Sequence, residues 1–181
     1  MADTPHILID LGCGKRKRPG TIGIDRNSQS DADVLHDLNH YPYPFPDNYC
    51  DGIYSDNVLE HLDDVIGVMV ELHRITKTGG FIEITVPFYA HRNANTDPTH
   101  KHWFGVHSFD YFVEGTDHSN FHYSPVRFRL DAVVFDQGIR QTHWIDRMIT
   151  KFANAKKDFF ENRLANIFPR AQLTFRFTVV K

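Results

Sequence analysis

Cysteine is scarce in this sequence: only Cys13 and Cys50 occur in 181 residues. Two cysteines build no disulfide framework, and the simplest setting for such a chain is a reducing cytoplasm. An excess of positive charge is also missing. The 20 Lys and Arg residues stand against 23 Asp and Glu, a formal net charge of -3. No global basic field attracts DNA or RNA, which weighs against a nucleic-acid partner. No apolar run approaches the ~20 residues of a membrane-spanning helix, so no membrane partner is expected. The N-terminus lacks a basic stretch followed by an apolar one, so no signal peptide is expected. There is no internal repeat and no low-complexity linker.

What the chain does have is histidine and phenylalanine. There are 12 histidines and 15 phenylalanines. His91, His100, His102, His107, His118 and His122 fall within one stretch, which raises the question of a metal. The phenylalanines suggest an aromatic core or pocket. The length suits one domain, residues 1–181, with enough chain to bury a core.

The first half alternates strand and helix patterns, as in an α/β parallel sheet. Strands are expected at 6–11, 21–25, 33–37, 50–55 and 81–86. Val65, Val68, Met69, Leu72 and Ile75 recur at helical spacing, so the pattern predicts a helix over about 58–76. Gly79 and Gly80 follow it as a stop. Residues 88–124 show little periodicity and read as a long excursion with a short helix near Ser108–Phe112. Two late strands are expected at 126–135 and 173–180. The stretch 137–167 between them reads as helical, with Trp144, Ile145, Met148, Ile149 and Phe152 on one face. Phe152, Phe159 and Phe160 are expected in the core or a pocket wall. Lys151, Lys156, Lys157, Arg163 and Arg170 read as a solvated helix surface.

One spacing is irregular. Only Lys15 to Gly20 separate Gly14 from Thr21. A parallel crossover needs about a dozen residues, commonly with a helix, and Pro19 and Gly20 break helices. The first crossover helix is therefore expected to be shortened or missing.

The loop Asp10-Leu11-Gly12-Cys13-Gly14 carries the first chemical signal. Its glycines, at the carboxyl end of a strand, permit a sharp turn and close approach of a ligand. A tight turn alone explains them equally well. A dinucleotide fingerprint would need a third glycine where Lys17 stands, which disfavours a nucleotide-dependent oxidoreductase. Asp25 ends the second strand, where a carboxylate can accept hydrogen bonds from both ribose hydroxyls of an adenosine. A helix cap or surface charge is the plain alternative. Asp37 and Leu38 follow the third strand, where an adenine edge could be met.

These segments, with Phe45-Pro46-Asp47-Asn48, Val58-Leu59-Glu60-His61-Leu62, Arg74-Ile75 and Thr78-Gly79-Gly80, stand in one order. That order resembles the class I S-adenosylmethionine (SAM)-dependent methyltransferases, in the small methyltransferase-domain (type 11-like) group. The resemblance is good over roughly residues 6–113 and loose beyond. It implies a Rossmann-like, seven-stranded, mostly parallel sheet with one antiparallel strand, and SAM as cofactor. Gly12, Cys13 and Gly14 would pack beside the methionine moiety, with Asp10 near its amino group. Asp25 would bind the ribose, and Asp37 and Leu38 would flank the adenine. Ser55, Asp56 and His61 would line the front of the pocket.

On the acceptor side, Asn-Pro-Pro-Tyr is the pattern of DNA-adenine and some protein-amide methyltransferases after strand four. Ser55-Asp56-Asn57-Val58 stands there instead. The expected acceptor is a small molecule methylated on oxygen or nitrogen, with a sugar or natural-product scaffold as the example. Segments 88–124 and 137–167 would shape its pocket. His91 and His100 are the candidate general bases, because histidine titrates in the useful range. Each is otherwise a loop histidine capping a carbonyl. Phe88, Tyr89 and His102 are expected to touch the acceptor. His100 and His102 with Asp97, or His118 with His122, have plausible metal-ligand chemistry. No metal is expected, since the sulfonium of SAM already supplies the leaving group. A homodimer is the assembly allowed. The rival reading from another class is a catalytically idle SAM-binding or scaffolding subunit.

Overall fold

The computed structural model describes residues 6–136 and 143–181. Seven strands form one sheet: β1 (Leu8–Leu11), β2 (Ile22–Asp25), β3 (Val34–Leu35), β4 (Cys50–Asp56), β5 (Thr76–Pro87), β6 (Arg127–Asp136) and β7 (Gln172–Val180). Their order is β3-β2-β1-β4-β5-β7-β6. Strands β1 to β5 run parallel to one another, whereas β7 is antiparallel to both β5 and β6. The mostly parallel sheet with one antiparallel strand is the architecture expected from the sequence.

The first crossover has no helix. After β1 the chain turns at Gly12 and Gly14, both at positive φ, and reaches β2 through irregular backbone. Its basic run is tied down rather than free. The Lys17 ammonium donates to both carboxylate oxygens of Asp33 at 2.8 Å. Arg18 donates its backbone N–H to Asp10 and its guanidinium to Asp56, and lies 4.2 Å above the Tyr54 ring. These contacts stand in for the packing a helix would supply.

The sheet is one-sided. On β5, Ile82, Ile84 and Val86 are fully buried, while Glu83 and Thr85 between them are not. On β7, Leu173, Phe175, Phe177 and Val179 alternate in the same way with Thr174, Arg176 and Thr178. Period-two alternation marks a sheet with one face on a core and the other wetted. The core continues through Ile9, Leu11, Ile24 and Ile53 to Leu59, Leu62 and the helix α1 (Val65–Ile75). The opposite face carries a polar row in register, Asp10, Tyr54, Glu83 and Arg176. Within it Arg176 donates to Glu83.

Helix α1 is shorter than the pattern predicts. A 3-10 turn at Leu59–His61 precedes it, and Asp64 caps it by accepting the Gly67 N–H at 2.9 Å. Its polar side anchors the preceding loop. Arg74 donates to Glu71, Asp47 and the carbonyls of Tyr43 and Phe45, and Glu71 also accepts the Tyr43 N–H at 2.7 Å. The Tyr43 hydroxyl in turn donates to the Leu38 carbonyl at 3.0 Å.

The excursion after β5 contains α2 (Asn93–Thr96) and 3-10 turns at Asp110–Phe112 and Asp117–Phe121. The short helix expected near Ser108–Phe112 is thus a single 3-10 turn. Between β6 and β7 lie α3 (Trp144–Ala155) and α4 (Lys157–Arg163). Residues 137–142 of the expected helical stretch lie outside the described residues. The apolar face of α3 is turned outward: Trp144 is 65% and Met148 61% exposed, and Phe152 is exposed too, as is Phe159 on α4. Of the three phenylalanines expected in the core or a pocket wall, only Phe160 is buried. Among the described residues no helix is long and apolar enough to cross a membrane.

Candidate functional site

The carboxyl ends of β1, β2, β3 and β4 converge on one cavity of about 320 Å³. Each strand end contributes to its wall: Gly12 after β1, Asp25 and Arg26 at β2, Asp37, Leu38 and Asn39 after β3, and Asn57, Val58 and His61 after β4. Thr99, from the later excursion, closes the side. Carboxyl ends of strands are where open α/β sheets bind ligands. Asp25 also organises the loop opposite. It accepts the Gly14 N–H at 2.9 Å and the Asn27 N–H at 2.8 Å. Each carboxylate oxygen keeps a further lone pair for a ligand. Asp37 accepts the Asn39 N–H, which with the neighbouring His40 keeps its carboxyl below the ordinary value.

A second, larger groove of about 1130 Å³ runs over the polar face of the sheet. Asp10, Cys13, Gly14, Arg18, Asp56, Glu83 and Thr85 form its floor and near wall, and His91, Arg92 and Asn93 its far side. Gly12 and Asn57 line both spaces, so the two meet there. Asn57 sits at φ 55° immediately beyond β4. Asparagine tolerates that left-handed conformation better than most residues. Its side-chain oxygen accepts from Gln172 at 3.2 Å.

The expected site residues divide in three. Gly12, Asp25, Asp37, Leu38 and His61 line the smaller cavity. Asp10, Cys13, Gly14, Asp56 and His91 line the groove, as Gly12 also does. Burial pushes the Asp10 carboxyl upward, against the Arg18 N–H and guanidinium that lower it. Burial, reinforced by Asp10 and Asp25, pushes the Cys13 thiol up to about 11, so it stays protonated and unreactive at neutral pH. Ser55, Phe88, Tyr89, His100 and His102 line neither space. Ser55 alternates with Tyr54 and Asp56 along β4 and points into the core, where its hydroxyl has no partner. Phe88 is fully buried, edge-on to Phe135 and Tyr89. His102 Nε2 meets the Leu62 carbonyl at 2.9 Å. Of segment 143–167 nothing borders the groove.

The two candidate bases differ. His91 faces the groove, and burial, with Arg92 and Arg170, lowers its pKa, so the ring is neutral near pH 7. Its Nδ1 accepts the Asn93 N–H at 3.1 Å, which leaves the ring proton on Nε2. In this arrangement His91 offers a donor, not a base. His100 is nearly enclosed and lies beside Glu60 and His61 instead. The metal pairings considered from sequence are not assembled. His102 is committed to Leu62, His118 packs on Tyr111 near Asp110, and His122 ends a 3-10 turn.

Reasoning from sequence missed Asn57, Arg26, Asn39 and Thr99 as wall residues. Asn57 had a usable signal, an asparagine just past a strand end. Thr99 had none, since only the tertiary fold brings the excursion back to β4.

Residues 19–84 match the family model described as a methyltransferase domain. An uncharacterized methyltransferase of Schizosaccharomyces pombe is 48% identical over 42 residues, which are 23% of this chain and 15% of that protein. The matched segment is thus a small part of that relative. A SAM-dependent methyltransferase of Archaeoglobus fulgidus superposes with a TM-score of 0.61 at 20% identity, over 96% of this chain and 86% of that one. The methyltransferase complexed with the Haloferax volcanii Trm112 methyltransferase activator gives 0.59 at 14% identity, over 98% and 84%. The fold is that of the class I SAM-dependent methyltransferases, and the family match falls in its methyltransferase-domain group. S-adenosylmethionine is the cofactor this match and fold imply.

Proposed function

We propose that this protein transfers the methyl group of SAM to an oxygen or nitrogen of a polar small molecule, of which a sugar is the type. One observation carries the reading: a cavity of about 320 Å³ with two carboxylates meets a wide polar groove at Gly12 and Asn57. The smaller space suits an adenosine. Asp25 would accept from the ribose hydroxyls, and Asp37 and Leu38 would border the base. The methionine end would extend past Gly12 toward Gly14 and Asp10. When bound, SAM supplies an electrophilic methyl carbon on a sulfonium, so the protein mostly has to align an acceptor with it. The groove presents Lys15, Arg16, Arg18 and Arg92 beside Asp10, Asp56, Glu83 and Asp136. Mixed charges of this kind favour an acceptor rich in hydroxyls over an apolar one. His91 would hold an acceptor oxygen by donating from Nε2. Phe88 and Tyr89, expected at the acceptor, line neither space.

Titration calorimetry with SAM, S-adenosylhomocysteine and NAD tests the first half. Both adenosyl ligands should bind and NAD should not. No binding of either at millimolar concentration sinks the proposal. Turnover of labelled SAM on hydroxylated small molecules tests the second half. Binding without turnover on any acceptor favours the idle SAM-binding subunit.

A further inference from the structure

Glu60, His61 and His100 form a cluster of which the methyl-transfer reading uses only His61, as a wall residue. One ligand atom from each lies within 4.8 Å of the other two, and His100 Nε2 stands 4.0 Å from Glu60 Oε1. Glu60 is 1% exposed, and neither of its carboxylate oxygens has a hydrogen-bond partner. Two unpartnered carboxylate oxygens in the interior are costly, the more so when charged. Something in the working protein should satisfy them.

The two imidazoles are set up to do so through a cation. His100 Nδ1 lies 3.0 Å from the Ala94 carbonyl, which can only accept, so Nδ1 carries the proton. His61 Nδ1 lies 2.9 Å from the Thr99 hydroxyl. That hydroxyl donates to Asp97 at 2.7 Å, so it accepts from His61 Nδ1–H. Both Nε2 atoms therefore carry free lone pairs. A carbonyl on one ring and a threonine–aspartate relay on the other are the outer partners that metal-ligating histidines use to fix tautomer and orientation. The rings meet edge to face with centroids 4.7 Å apart.

We propose that Glu60, His61 and His100 bind one divalent transition-metal ion, of the zinc, cobalt, manganese or iron(II) class. Imidazole with one carboxylate suits these ions better than magnesium or calcium, which prefer all-oxygen sets. Metal–ligand bonds of about 2.0–2.2 Å place the donor atoms roughly 3–4 Å apart, so binding draws this set inward by about 1 Å. Three protein ligands leave a position open for water or a ligand oxygen, as in catalytic rather than structural sites. His61 also lines the adenosine-sized cavity, so the ion sits at the boundary of that space. The site does not depend on SAM binding, and its test is run without any adenosyl compound.

Chelator-treated full-length protein is titrated with cobalt(II) and read by visible absorption, and with zinc(II) by calorimetry. One equivalent should bind, with the visible bands of nitrogen- and oxygen-ligated cobalt, and the melting temperature should rise. His100→Ala and Glu60→Gln should each weaken binding at least tenfold, with circular dichroism checking that they fold. Thr99→Val, which removes only the relay to His61, should weaken it about 10- to 100-fold. His107→Ala, at an exposed imidazole elsewhere, should leave it unchanged. The proposal is overturned if no equivalent binds, or if folded His100→Ala and Thr99→Val proteins bind as the parent does.

Discussion

Gly12 and Gly14 occupy the same kind of backbone but not the same space, and the difference gives a quantitative test of how the loop after β1 is packed. Both have positive φ, 64° and 53°. An alanine at either would be held in the left-handed region, at a cost of about 1–2 kcal/mol. A Cβ at Gly14 meets nothing within 4 Å, so Gly14→Ala should lose only that amount. A Cβ at Gly12 would stand 2.4 Å from Val58 Cγ2 and 3.0 Å from Cγ1. Val58 is buried and cannot swing clear into solvent. Overpacking of this kind adds about 2 kcal/mol, so Gly12→Ala should lose about 3–4 kcal/mol. For a domain of this size that is a fall in melting temperature of about 10 °C, against about 3–6 °C for Gly14→Ala. Val58→Ala alone should cost about 1–2 kcal/mol for the lost methyl groups. In the Gly12→Ala/Val58→Ala double variant the steric part vanishes and the backbone part stays. The double-mutant cycle should therefore show about 2 kcal/mol of favourable coupling, measured by urea unfolding. Equal losses at the two glycines, or a cycle that sums to zero, would refute the packing of the loop against the β4 end.

The other predictions concern the two spaces and the loop that supports them. Asp25→Ala removes two acceptors facing the smaller cavity, and on the proposed reading SAM affinity should fall about 10- to 100-fold by calorimetry, as expected for hydrogen bonds to a charged group. His91→Ala should lower turnover about fivefold while SAM affinity holds, the loss of one acceptor hydrogen bond of about 1 kcal/mol; a loss of a thousandfold or more would mean that the ring takes the proton after all. Arg74→Ala cuts the ties to Glu71, Asp47, Tyr43 and Phe45, and should cost about 2–3 kcal/mol, reduced from the fully buried case because the side chain is partly wetted. Burial pushes the Glu71 carboxyl up, but Arg74 and the Tyr43 N–H outweigh it and hold its pKa below the ordinary value. A lowered folded-state pKa means that this stability is present above the unfolded-state value and is lost as pH falls through the folded-state one. Arg74→Ala should therefore flatten the acid limb of stability below about pH 5, as followed by denaturant melts.

Which parts of the site were legible in the sequence follows from how local each signal is. The glycine turn, Asp25 and Asp37 each sit within a residue or two of a strand end. A strand's carboxyl end determines where such residues point, so reading the strands was enough to place them. The failures lie where direction depends on alternation or on distant packing. Ser55 and Asp56 are adjacent, and one is sent into the core and the other into the groove by a period-two rule that a motif does not express. Phe88 follows β5 directly and continues its buried face instead of opening toward a ligand. Helix α3 shows the limit of periodicity: Trp144, Ile145, Met148 and Phe152 do share a face, as the spacing requires, but that spacing cannot say whether the face is covered.

His100 shows the same limit within the site itself. As a residue type it fitted a base, because its chemistry was judged alone. In the fold its Nδ1 is spent on Ala94 and its Nε2 is turned toward Glu60, 40 positions earlier in the chain. The Glu60-His61 pair was noticed from sequence only as part of a family-like run. Neither residue suggests a ligand set until Thr99 and Asp97 fix one tautomer and the Ala94 carbonyl fixes the other. These partners belong to the excursion after β5, the region where sequence periodicity was weakest. The missing first crossover helix acts in the opposite sense. Six residues ending in Pro19 and Gly20 allowed a shortened helix or none, and the consequence of having none is the uncovered sheet face that floors the groove. A shortened connection thus left the floor of the groove open, while a long excursion brought His100 and Thr99 back beside Glu60 and His61.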